Sequence, residues 1–510
     1  MRHRLRSIVD HLIFIYGGLL RWAGGLVLFL AGFLATGWAA TGLAVISVVG
    51  ILLGLHQLHR QATRYEVWDL DAVPRLDAHE ATESVVWAPV RARIGTAGRP
   101  SASHGTQVWE DLAVNEALCR QSRTGYGVAQ AVVELARHPF VLPEDLRVRA
   151  PAAVKAQSKA AGGRHPQLSV FRAPIRFNGR LMRLELEPTV RALEAGAFRA
   201  REVRYFDAEA SNEVWSMSVT SAEQRDRAPA PEHPSPVQRH VWDSHGRILP
   251  LETAQAANIV GISIVALTPR RDVLVIRQTR HNSIAGGGIG ASGSGSLDYA
   301  DFRKAQARLS RQVPRRAGRL RSEDETGTDG DGRVDGIPLV ELLLEGMVRE
   351  LCEESGLRHG EVRWETAAVT GYFRWADRAM KPEFTGVVEV TAEAEDLERR
   401  RLSRGERVFS SHVIPVSLQS LVDAAARDGA DSKAPPGGDS RQAVAEKVTG
   451  ALSAAVLAHE SLGRDEPVVI SPSTVMAVLN AVEHWRWHAG VTRSEENMLD
   501  RESGHDDSGA

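Results

Sequence analysis

Residues 348–357 read VRELCEESGL, and three acids in this run, Glu350, Glu353 and Glu354, recur at helical spacing. At i, i+3 and i+4 such side chains are neighbours, and like charges there repel by about 0.2–0.5 kcal/mol per pair. A wet acidic face tolerates that cost. A cation seated among the acids removes it. Three carboxylates presented together are hard oxygen donors of the kind that suits Mg²⁺ or Mn²⁺.

A rigid helix must present them. Pro338 suits a first-turn position, and Val340, Leu343, Leu344, Met347 and Leu351 recur at the spacing of one buried face. Glu345 and Arg349 are four apart and can pair. Gly356 stands where a left-handed cap would end the helix. Upstream, ANIVGISIVALTPRRDVLVIRQTR (257–280) holds two β-rich runs broken by Pro269 to Asp272, which predicts a hairpin. The glycine-rich stretch AGGGIGASGSGSLD (285–298) follows, and glycines let a backbone approach a ligand closely. A flexible linker is the alternative for it. The charged stretch 303–336 is expected to be a disordered surface insertion.

At these residues the chain resembles the Nudix hydrolases, whose signature is G-x5-E-x7-R-E-U-x-E-E-x-G-U with U aliphatic. Glu341, seven intervening residues, then Arg349-Glu350-Leu351-Cys352-Glu353-Glu354-Ser355-Gly356-Leu357 match all of it but the opening glycine. The resemblance covers roughly residues 250–420 and a final helix near 471–487. It implies an α/β/α sandwich with a mixed sheet, with Glu350, Glu353 and Glu354 as ligands of a divalent metal. It also implies that Arg349 orients the acids through a salt bridge, and that Glu341 braces the loop or helps in catalysis. The implied activity is hydrolysis of a diphosphate bond in a substrate built on a nucleoside diphosphate, by water attack on phosphorus. That matches the physics: metals neutralise a diphosphate and lower the pKa of bound water, and a carboxylate in hydrogen-bond reach takes the proton. The family's opening glycine falls on Asp335, so the loop function is assigned to Gly293 and Gly295, ahead of the insertion. Beyond the signature, Arg374, Arg378 and Lys381 are candidate phosphate contacts, and Tyr372, Phe373 and Trp375 either stack on a base or pack in the core. Marks of the ADP-ribose and NADH subfamilies are missing, so the nucleotide is left open.

The rest of the 510 residues sets the context. Lys and Arg number 62 against 64 Asp and Glu, a net charge of −2, so bulk basicity does not argue for nucleic acid. Two cysteines, Cys119 and Cys352, exclude a disulfide framework and a Cys-rich zinc site. From 11 to 56 the chain is largely apolar, and only Arg21 interrupts it with a full charge. About 46 such residues suffice for two membrane passes at roughly 20 each. Arg2, Arg4 and Arg6 precede them and Arg60 and Arg64 follow, so a transmembrane hairpin with both ends in the cytoplasm is expected. Arg21 snorkels to the interface or faces a partner helix in a homo-oligomer.

Residues 57–245 read as an α+β segment of unassigned role, with RLMRLELE and LSVFRAPIRF as strands and EDLAVNEALCRQ as a helix. Asp207, Asn212 and Glu213 read as a turn or cap rather than a ligand site. A linker is expected over 421–445, helices over 446–492, with one of them packing on the sheet, and a disordered tail over 493–510. The leading expectation is a membrane-anchored, metal-dependent hydrolase of a cytoplasmic nucleotide. The alternative is a membrane sensor or effector in which the same domain binds a nucleotide with weak turnover or none.

Overall fold

The computed structural model describes 65–69, 87–93, 109–115, 131–161, 178–188, 196–215, 217–221, 236–244, 248–278, 288–312, 336–375, 378–400, 410–426, 438–459 and 470–503, with the isolated positions 14, 119, 128, 192 and 193. The expected membrane hairpin therefore lies outside the described residues, save Phe14, whose ring meets Phe206 edge-on at 4.9 Å. Among the described residues no helix is long and apolar enough to cross a membrane. The strand expected at LSVFRAPIRF also lies outside them.

In chain order the first strands are β1 (Tyr65–Asp69), β2 (Trp87–Arg93), β3 (Trp109–Asn115) and β4 (Val132–Leu135). Helices α1 (Glu144–Arg147) and α2 (Ala150–Ala161) follow, then β5 (Arg180–Leu184), β6 (Ala197–Arg204), α3 (Tyr205–Glu209) and β7 (Met217–Ser221). The central run is β8 (Gly261–Leu267), β9 (Asp272–Gln278), β10 (Ile289–Gly290), β11 (Gly293–Ser296), α4 (Tyr299–Gln312), β12 (Gly336–Pro338) and α5 (Leu339–Ser355). Then come β13 (Val362–Trp375), β14 (Lys381–Val390), α6 (Ala394–Arg399), β15 (Ser410–Ser417), α7 (Leu418–Ala426), α8 (Gly438–Ala458) and α9 (Pro472–Ser503).

The fold is mixed α/β. A nine-stranded sheet runs β10-β9-β8-β14-β13-β3-β2, with β11 on β8 and β15 on β9. It is mixed because β14 lies parallel to β8 while its other pairs are antiparallel. All seven residues of β8, GISIVAL, are buried, as a strand covered on both faces requires. On one face α5 packs Leu342, Leu343, Met347 and Leu351 against Ile262, Ile264 and Phe384. On the other, α8 and α9 bring Val448, Leu452, Val475 and Val478 against Val265, Val275 and Val387. The expected packing of a late helix on the sheet is thus present, with Asn480 of α9 donating to Thr385 Oγ1 at 2.9 Å. The hairpin expected at 257–280 is β8–β9, and Arg271 turns it with φ 67.

A second, four-stranded sheet, β12-β4-β6-β5, joins sequence-distant parts. Its strand β12 leads directly into α5, and Leu339 N–H donates to Ala131 at 2.7 Å. Val133, Met182 and Phe198 share one core with Ile262 and Leu343. The segments before and after residue 245 therefore meet in a common interior.

Several local expectations are corrected. EDLAVN is in strand β3, not helix: pairing with β2 along its whole length outweighs its helix-forming Glu, Leu and Ala. The stretch from 303 is helical through Gln312, because α4 buries Phe302 and Ala305. The linker over 421–445 is helix at both ends, and α9 continues to Ser503 where a disordered tail was expected from 493. Asp207 serves α3 as a cap, accepting from Arg204 N–H at 3.1 Å, in keeping with its reading as a turn residue.

Candidate active site

The helix α5 is built as its sequence demands. Pro338 occupies its N-cap, and Gly356 ends it at φ 74, ψ 13, with its N–H donating to Cys352 O. That left-handed geometry costs an L side chain about 1–2 kcal/mol, and glycine nothing.

Arg349 is the hub. Its Nε and Nη2 grip both oxygens of Asp301 at 2.8 and 3.0 Å, and Nη2 also donates to Ser296 O at 3.1 Å. Its Nη1 donates to Glu350 Oε1 at 2.8 Å and to Glu353 Oε2 at 3.4 Å. Burial alone would lower the pKa of this guanidinium, but the charges of Glu350 and Asp301 outweigh it and raise the pKa. A fork held at both ends in this way fixes the rotamer of Glu350.

The strand β11 lies against the back of the acids. A Cβ on Gly293 would sit 2.3 Å from the backbone nitrogen of Leu351, and one on Gly295 would sit 2.1 Å from Glu350 Oε1. The two glycines let a helix and a strand touch backbone to backbone. Ser294, between them, donates its N–H to Glu354 Oε2 at 2.9 Å, with its hydroxyl at 3.4 Å. Gly293 and Gly295 are thus strand residues that seat the acids, where the sequence suggested a ligand-facing loop.

The three carboxylates have unlike surroundings. Burial pushes Glu350 up to about 7, against the opposing pull of Arg349. Burial raises Glu354 well above the usual carboxylate range, and the charge of Glu350 adds to it. Glu353 is the open one, its side chain 53% exposed. Among the described residues no three acidic, His or Cys side chains form a closed metal cage. Glu350 is turned to Arg349 and Glu354 to Ser294.

One stability result follows from the sign of these shifts. A carboxyl whose folded pKa is raised disfavours the fold once pH exceeds its unfolded value near 4.5. Glu354→Gln keeps an acceptor for Ser294 N–H and lacks the buried charge. It is expected to raise the melting temperature of the chelator-treated protein by a few degrees at pH 8. The gain should shrink toward zero near pH 4, as thermal melts across that range would register.

Glu341 pairs with Arg308 of α4 at 2.5 Å, away from Arg349. The brace on Arg349 is Asp301, a residue that sequence reasoning passed over. A signal for it existed: Gly295, five residues, then Asp301 repeats the opening spacing of the signature, with Asp for Glu. The insertion after α4 separates this half from the rest.

The three expected phosphate contacts are buried and committed to carboxylates. Arg374 is fully buried, bonded to Glu187 at 3.1 Å, Leu249 O at 2.6 Å and Met380 O at 2.8 Å. Arg378 pairs with Glu213. Lys381, 2% exposed, meets Glu383 at 3.3 Å, and burial lowers it to about 8. Glu383 and Thr385 lie on the sheet face toward α9, opposite the acids of α5. Tyr372, Phe373 and Trp375 are core residues, at most 3% exposed. All six side chains are buried.

No family profile matches the chain, and no curated protein matches it. Among solved structures, DR0079 from Deinococcus radiodurans is similar to part of it. The identity is 11%, the likeness covers 37% of this chain and 88% of that one, and the TM-score is 0.20, too slight to argue from.

Proposed function

We propose that the chain is a Nudix-type hydrolase. In this reading it uses Mg²⁺ or Mn²⁺ to cleave a diphosphate bond in a nucleoside-diphosphate-linked substrate. Residues 11–56 anchor it to the cell membrane as a two-helix hairpin, with the remaining chain on the cytoplasmic side. The observation that carries the reading is the Asp301–Arg349–Glu350 chain, with Glu354 beside it on the glycine strand. The sandwich of α5, sheet and α9 supports it as well.

The donor set fits a divalent cation. Two buried carboxylates in one place, with protons held above the usual range, are groups that a 2+ charge satisfies. Glu350, Glu353 and Glu354 would hold the ion. A bound Mg²⁺ or Mn²⁺ supplies neutralisation of the diphosphate and a more acidic water. Arg349 keeps Glu350 aimed, Ser294 keeps Glu354 aimed, and β11 excludes solvent behind them. Glu353, the exposed acid, is the carboxylate with access to a water and takes its proton at Oε.

The test is release of mononucleotide or phosphate by the full chain in detergent, offered dinucleotides, nucleotide sugars, ADP-ribose and nucleoside triphosphates with Mg²⁺ or Mn²⁺. Turnover is expected, and Glu353→Gln/Glu354→Gln should reduce it by about 10³-fold or more, the scale of losing a catalytic metal site. Turnover untouched by that pair of substitutions would remove these acids from the chemistry. Tight nucleotide binding without turnover would replace the hydrolase with a sensor.

A further inference from the structure

Between α4 and α5 lies a cavity of about 790 Å³. Its α4 wall carries Arg303, Lys304, Arg308 and Arg311 within two and a half turns. Lys304, Arg308 and Arg311 follow the i, i+4, i+7 rule of one helix face, where like charges repel. Arg308 is answered: it pairs with Glu341 at 2.5 Å and Glu345 at 3.3 Å, and lies over the Trp364 ring at 4.2 Å. Among the described residues Arg303 and Lys304 have no acidic partner, and Arg311 bonds only to Ala307 O. The cavity is therefore lined by three cations without acidic partners, by Arg308 with its partners Glu341 and Glu345, and by Glu365, which pairs with Arg363 at 3.1 Å.

We propose that this cavity is a second ligand site, for a phosphorylated small molecule with at least two negative charges. A volume of about 790 Å³ exceeds what a lone phosphate fills and lies in the usual range for small-molecule sites. Arg303, Lys304 and Arg311 contact the phosphates, and the Arg308–Trp364 pair forms a flat wall beside them. Its α5 wall ends at Glu345, five residues before Glu350 and nine before Glu354, and Glu354 stands on the opposite face of α5. A solvated basic helix face is the plain alternative. The apolar wall of Trp364 and Leu344 across from the cations argues against it.

The test uses the full chain in detergent micelles with EDTA, so that metal-dependent binding at the acids is silent. ADP and inorganic pyrophosphate are titrated calorimetrically at low salt. Saturable binding is expected, weakening as salt rises. Arg303→Ala/Lys304→Ala/Arg311→Ala should weaken it by on the order of tenfold or more, while Glu353→Gln/Glu354→Gln leaves it unchanged. All three cations are exposed, so the triple variant should melt like the parent; should it not, Lys304→Glu alone is read in its place. No saturable binding, or binding indifferent to the cations, overturns the site. Binding altered by the acid pair instead would place the ligand at the hydrolase site and also overturn it. Neither result bears on the metal-dependent turnover proposed above.

Discussion

Arg349→Gln is expected to lower the unfolding free energy by about 3–5 kcal/mol, the usual cost of removing one partner from a buried ion pair. The arginine side chain is 14% exposed and holds Asp301, which is fully buried, and Glu350, itself 14% exposed. Glutamine would leave two acids facing each other in the interior. Urea unfolding of the metal-free protein at pH 8 measures the loss. Asp301→Asn in the same chain should recover part of it, because the pair is coupled. The same substitution should abolish hydrolysis, since Glu350 loses its aim. A loss under about 1 kcal/mol would mean that Arg349 is a surface ion pair of ordinary worth.

The second large effect separates two glycines. Gly293→Ala would drive a Cβ into the backbone of α5, 2.3 Å from Leu351 N and 2.5 Å from its Cα, where no side chain can turn aside. Helix and strand must part, at a cost of about 1–3 kcal/mol or more for overpacking. Gly295→Ala meets Glu350 Oε1 at 2.1 Å, a side-chain oxygen that can turn aside only by leaving Arg349. That variant should lose less stability than Gly293→Ala and lose metal affinity and turnover. Thermal melts and activity on the two variants side by side distinguish them. Equal destabilisation by both would show that β11 does not rest on α5 as described.

What the sequence made legible was local. The apolar period of α5, its glycine cap and the β8–β9 hairpin are each dictated by residues within one turn or one strand pair. The acids were found because they repeat at helical spacing. Asp301 escaped because its partner Arg349 lies 48 residues away, across the insertion. Arg374 was misread for the same reason: a cation among aromatic residues looks ready for phosphate until Glu187, 187 positions earlier, is seen to hold it. The strand β3 was misread because its residues favour helix and only the neighbouring β2 and β13 decide otherwise. Charges and strand pairs set by distant residues leave no periodic trace.

The most direct test of the account is Mg²⁺ binding to the full chain at pH 7, by calorimetry in two buffers of different ionisation heat. Burial pushes Glu350 up to about 7 and raises Glu354 well above the usual carboxylate range. Binding should therefore release protons and strengthen as pH rises through 7. Glu350→Gln/Glu354→Gln should abolish both the binding and the proton release. Mg²⁺ binding that is independent of pH and survives that pair of substitutions would contradict the claim that these acids are crowded to hold a cation.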